Sequence, residues 1–136
     1  MLKPLTLLSL LSWSSLWGSD LPPEVRARVV RILATSVGSP AKVACKEPAL
    51  MGELARAGFV HDPGAMVAYA ASDDEVRALR RTGRVVICGK VGMLSAGAGV
   101  AVVEEDGRPQ IYFHMAHLAQ AKVTISDAVL KIGHLF

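Results

Sequence analysis

Apolar positions along this chain fall into short, punctuated runs whose period switches between helical and alternating. After Pro22-Pro23-Glu24, the residues Val25, Val29, Ile32 and Leu33 recur at helical spacing, while Arg26, Arg28 and Arg31 take other faces. A helix is expected there, with proline in a first turn whose amide hydrogens have no partner in any case. It runs out near Gly38-Ser39-Pro40. Lys42–Cys45 reads as a short strand, and Ala49–Ala57 as a second helix stopped by Gly58. Phe59 and Val60 then lead into a turn at His61-Asp62-Pro63-Gly64, and Ala65–Ala70 is the next strand. Ser72 with Glu75 three residues on is a capping-box start, and Val76 and Leu79 begin the apolar stripe behind it. Arg80 and Arg81 fall in the last turn, where cations suit the helix dipole. After Thr82-Gly83, Arg84–Cys88 is a strand again. Strands alternating with helices imply parallel βαβ units in one sheet.

The remainder changes character. Val91 to Ala98 is a loop with room for one helical turn, and Gly99–Val103 is an apolar strand. Glu105-Asp106-Gly107 is a hairpin turn signal, and Pro109–His114 is the returning strand. Met115–Ala121 reads as a short helix, Val123–Ile125 as an extended piece, and Ser126–Ile132 as a last helical turn or two. The expected fold class is α/β: a three-layer Rossmann-like sheet, parallel in its first half, followed by a β-hairpin and short C-terminal helices.

The first residues set the compartment. Lys3 is followed by an uncharged apolar stretch from Leu5 to Trp17, then Gly18, Ser19 and Asp20. This is the layout of a secretory signal peptide over residues 1–19, leaving 20–136 as a single domain in the periplasm. The stretch is too short to span a bilayer comfortably, so no membrane insertion is expected once the leader is removed. An uncleaved anchor or a buried helix is the alternative. The net charge is +3, or +2 once Lys3 leaves with the leader. That is too mild and too evenly mixed to argue for nucleic acid.

Residues 97–133, GAGVAVVEEDGRPQIYFHMAHLAQAKVTISDAVLKIG, resemble the C-terminal part of the YfiR-like family. The likeness lies in a Gly-rich start, an apolar strand, an acidic-Gly-Arg hairpin and a returning strand. A short helix follows, and then the closing pattern Val123, Ile125, Ser126, Asp127, Val129, Leu130 and Ile132. His114 and Asp127 depart from the family pattern, standing where Asn and a second Ser are expected. The element order extends the resemblance over roughly residues 24–133. It implies a non-enzymatic periplasmic regulator that docks onto the periplasmic domain of a membrane-bound signalling protein, such as a diguanylate cyclase. It also implies a homodimer and a structural disulfide.

The two cysteines, Cys45 and Cys88, end the first and third predicted strands. A doubly wound order of 2-1-3 makes those strands neighbours, about 5 Å apart. That spacing falls in the Cα range of about 4.4–6.8 Å that a disulfide needs, and an exported protein would oxidise the pair. A disulfide Cys45–Cys88 is therefore expected, with a free buried pair and a redox-labile bond flanked by Lys46 and Lys90 as alternatives. His114 and His117 stand three apart and could share one helix face, a weak ligand-binding candidate for a metal or haem. With no third ligand at a natural spacing, no metal and no cofactor is expected. The glycines at 89, 92, 97 and 99 form a loose run that could cradle an anion, but they lack a phosphate-loop spacing. No hydrolase elbow and no paired-carboxylate site is present, so no catalytic residue is named. Two functions compete on this reading: a regulatory binding domain, and a periplasmic carrier of a small ligand, metal or haem using the His114/His117 region.

Overall fold

The computed structural model describes residues 21–136. The leader expected over 1–19 lies outside the described residues. In chain order the elements are α1 (Pro23–Ser36), β1 (Lys42–Cys45), α2 (Pro48–Arg56), β2 (Val60–His61), β3 (Val67–Ala70) and α3 (Asp73–Leu79). There follow β4 (Val85–Cys88), a 3₁₀ helix (Val91–Ala96), β5 (Val100–Glu105), β6 (Arg108–Phe113), α4 (Met115–Gln120), α5 (Asp127–Leu130) and β7 (His134–Leu135). One seven-stranded sheet runs in the order β2-β1-β3-β4-β5-β6-β7. The pairings from β2 to β5 are parallel, β6 returns antiparallel to β5, and β7 lies parallel to β6. This is the α/β fold expected, down to the hairpin. Asp106 and Gly107 both take positive φ, 53° and 75°, the pair of left-handed residues that a two-residue type I′ turn demands.

The layers follow from alternation within the strands. Val43 and Cys45, Val67 and Tyr69, Val85 and Ile87, and Val100 and Val102 share a core with α1, α2, Leu118 and Ile125. The intervening Ala70, Val86, Cys88 and Ala101 pack with Val76 of α3 and with Met93, Leu94 and Ala96 of the 3₁₀ helix. Branched side chains fill the broad face, and small ones let the short helices approach the other. The ends of α2 and α3 are held as their sequences imply. Phe59 N–H donates to Leu54 O at 3.0 Å around Gly58. Ser72 Oγ accepts from Glu75 N–H at 3.2 Å, and Glu75 Oε1 accepts from Ala71 N–H at 3.2 Å.

Two short strands are absent from the sequence expectation, and one changes the chemistry. Val60, expected to lead into a turn, and His61, expected within it, pair with Lys42 and Val43 as the outer strand β2. A two-residue strand is too short for period-2 alternation to register. The 2-1-3 order does hold, but with β2 as its second strand. Cys88 therefore ends the fourth strand, and β3 lies between it and β1. Cys45 is level with Tyr69, and Cys88 with Ala70. Those are successive residues of β3, so the two thiols enter the cores on opposite faces. Both cysteines are buried and free. The Cys45–Cys88 disulfide is corrected on this ground: an intervening strand doubles the spacing to about 10 Å, beyond disulfide reach. The other unexpected strand, β7, places His134 against the Tyr112 ring at 4.8 Å.

Candidate functional site

Strand order reverses at β1. The connection α2 leaves on one face of the sheet and α3 on the other, so the carboxyl ends of β1 and β3 form the switch point where open α/β sheets hold ligands. The connection 62–66 between β2 and β3 holds no helix. A cavity of about 210 Å³ remains there, lined by Ala44, Cys45 and Lys46, by His61 and Pro63, by Tyr69, and by Glu75, Ala78 and Leu79 of α3. Its walls are mostly apolar, with a few polar groups at the rim, which is the usual make-up of a small-molecule site. His61 Nδ1 accepts the Cys45 N–H at 3.2 Å, so the ring is fixed and its Nε2 carries the hydrogen. Lys46 is exposed at the mouth. A smaller hollow of about 80 Å³ continues along the same edge, lined by Glu47, Tyr69, Ala70, Ala71, Gly89, Lys90 and Met93.

Beneath this edge lies a buried ionic cluster. Arg26 of α1 donates from Nε to Leu21 O at 2.9 Å and from Nη1 to Glu47 Oε2 at 2.7 Å and to Tyr69 Oη at 3.2 Å. Burial by itself would lower the Arg26 pKa. The bonds to Glu47 and Tyr69 outweigh that and hold it well above its ordinary value. The guanidinium ties α1 to the β1–α2 turn and to β3, and so fixes the floor of the crevice. Sequence reasoning put Arg26 on a polar face, yet it is 5% exposed. The signal was present: Arg26 stands four and seven residues before Val30 and Leu33, both fully buried.

The cysteine thiols are inert donors. Cys45 Sγ donates to Glu47 O at 3.7 Å, and Cys88 Sγ to Lys90 O at 3.3 Å. Each turns back to the carbonyl two residues on, where its strand ends. Burial is the main cause that pushes both thiols above the ordinary cysteine range, Cys88 up to about 11. Neither is a thiolate nucleophile near neutral pH.

His114 and His117 are brought together, stacked with ring centroids 3.6 Å apart and planes within 12°. His114 Nδ1 accepts the His117 N–H at 3.1 Å and so caps α4, while His117 Nδ1 lies 3.1 Å from Ala98 O. Imidazole lone pairs lie in the ring plane, so two parallel stacked rings cannot converge on one metal ion. Burial first, and the neighbouring His117 second, lower the His114 pKa. Among the described residues, no group of three or more His, Cys, Asp or Glu is placed to hold a metal.

No family model matches the chain, and no curated protein matches it. Two solved structures share its fold. A conserved domain protein from Vibrio cholerae O1 biovar eltor strain N16961 superposes with a TM-score of 0.59 at 14% identity, covering 85% of this chain and 60% of that one. The ABC domain from Streptococcus pneumonia, solved in complex with L-Trp, superposes with a TM-score of 0.58 at 9% identity over the same shares. This chain thus spans about 60% of the length of each.

Proposed function

We propose that this protein is a non-enzymatic binding domain that takes a small zwitterionic ligand of amino-acid type in the crevice at the carboxyl ends of β1 and β3. The cavity at the switch point carries this reading. It combines apolar walls, Lys46 to meet a carboxylate, and Glu75 and His61 at the rim for polar ends. A solved structure of the same fold holds L-Trp, which adds support of a general kind. Buried, protonated thiols, turned back to the carbonyls that end their strands, favour binding over thiol catalysis.

The test is calorimetric titration of the exported protein with the twenty L-amino acids, repeated on Ala78→Trp. Ala78 is exposed on α3, so an indole there fills the cavity without entering the core. At least one amino acid should bind the parent saturably and lose tenfold or more in affinity on the variant. Heats that are flat across the panel, or unchanged by the variant, would defeat the reading.

Regulation of a membrane signalling protein, as in YfiR-like proteins, is a second reading. One observation favours it: β7 ends the sheet with Ile132, Leu135 and Phe136 all more than half exposed. On this reading a partner's periplasmic domain covers that edge, and deleting the gene raises cyclic-di-GMP output. Unchanged output in the deletion strain counts against it.

A further inference from the structure

Away from the crevice, where β4 and β5 begin, a second cavity of about 300 Å³ is lined by Arg80, Arg81, Thr82 and Arg84, and by His117 and Gln120, with Gly97 and Gly99 beneath. Among the described residues, no Asp or Glu lines it. None of the ion pairs among the described residues uses any of these three arginines. Arg84 is buried, and its nitrogens donate to Ala65 O, Leu79 O and Pro63 O, so the group is pinned. Arg81 donates to Gly64 O at 2.6 Å, and Arg80 to Ala96 O at 3.3 Å. Carbonyls satisfy hydrogen bonds but neutralise no charge. After burial, the field of Arg81 is the next cause that depresses Arg84; Asp62 opposes it. Asp62 itself accepts from Gly64 N–H and pairs with Lys42. Gly97 allows the arrangement, because a Cβ there would stand 2.7 Å from Arg80 Nη1 and 2.8 Å from its Cδ.

We propose that this cavity is an anion site for a small phosphate-bearing ligand. Three arginines line one hollow, their guanidiniums bonded only to carbonyls, and their charge exceeds what a single carboxylate would neutralise. A phosphate dianion matches both the charge and the forked donor geometry of arginine. The volume is at the small-molecule scale. The arginines gather at one hollow rather than along a stripe, which disfavours a nucleic-acid strand. The glycines at 97 and 99, part of a run whose sequence lacks a phosphate-loop spacing, also line it. The site is separate from the crevice and stands or falls independently of it.

The test uses pyrophosphate as the probe, titrated into the protein at constant ionic strength and followed by amide chemical shifts. Saturable shifts are expected at Thr82, Gly97, Gly99 and Gln120, with sub-millimolar affinity. Arg81→Gln, at an exposed position, should weaken binding tenfold or more. Thr82→Glu, also exposed, sets a carboxylate in the cavity and should abolish binding. Arg28→Gln, on α1, should leave binding unchanged. Sedimentation with phosphatidylcholine vesicles containing phosphatidic acid separates the sources. Co-sedimentation displaced by pyrophosphate marks a lipid headgroup, and soluble binding without co-sedimentation marks a free phosphate ester. Shifts that do not saturate, or that Arg81→Gln and Thr82→Glu leave unaltered, overturn the proposal.

Discussion

Replacing Glu47 with alanine would leave the Arg26 guanidinium, 5% exposed, with only a hydroxyl and a carbonyl as partners. A charged donor left short of its acceptor under burial costs about 2–3 kcal/mol, so Glu47→Ala should lower the urea midpoint by that equivalent. Glu47→Gln keeps an acceptor and should lose about half as much. The cysteines give a second expectation at this scale. With both thiols buried, free and bonded to carbonyls, alkylation should follow global unfolding and be indifferent to reductant. Protection that reductant alone releases would mean a bond the fold does not accommodate. Burial also links Cys88 to pH. Its pKa is raised from 9.0 to about 11, so the folded state keeps the thiol protonated where the unfolded chain ionises. Its stabilising contribution is complete below about pH 9 and is lost as pH rises toward 11. Denaturation curves of Cys88→Ala should therefore fall less steeply than the parent's over that window. The residue patterns themselves made the Cys positions conspicuous but not their meaning. Two strand-end thiols look alike in sequence whether they share a face or not, and one unseen two-residue strand decided the matter.

At the scale of elements, the capping chemistry was legible and the shortest strands were not. Ser72 with Glu75, Gly58 and Asp106-Gly107 each specify a local geometry through one or two side chains, and each adopts it. Strands β2 and β7 are two residues long; they are defined by tertiary pairing rather than local pattern, so periodicity could not announce them. Arg26 escaped notice for a related reason, since a charged residue on an apolar stripe is normally solvated, and only the partner from another element makes it buriable. Helix α4 offers a test of its own. Its N-cap is the neutral imidazole of His114, whose Nδ1 must accept the His117 N–H. Protonation removes that lone pair. The folded pKa lies below 6.5, so the unfolded chain takes up the proton first, and the stability this group contributes falls as pH drops below about 6.5. The protection factor of the His117 amide, with the intrinsic pH dependence of exchange divided out, should fall over that range. His114→Asn should keep the cap and lose the pH dependence, whereas His114→Ala should cost about 1 kcal/mol at neutral pH and progressively less as the parent's own cap is protonated away.

For the whole molecule, alternation of strands and helices in the first half, then a hairpin, was enough to imply the α/β architecture. The candidate site was not legible, because it is assembled from the ends of three strands and one side of α3, spread over residues 44–79. No local motif marks it. What marks it is topology: the strand order reverses at β1, and the connection that would roof β1 is too short to hold a helix. The same logic explains why the His114/His117 pair, prominent in sequence, belongs to α4 capping, while the crevice gathers residues of several kinds with no spacing rule among them.

The most direct test of the account is an amide chemical-shift map of the protein titrated with the L-amino acid that binds it best. The account predicts saturable perturbations confined to residues 44–46, 61–63 and 75–79, abolished in Ala78→Trp. Perturbations centred instead on His114 and His117, or none from any amino acid at millimolar concentration, would contradict it.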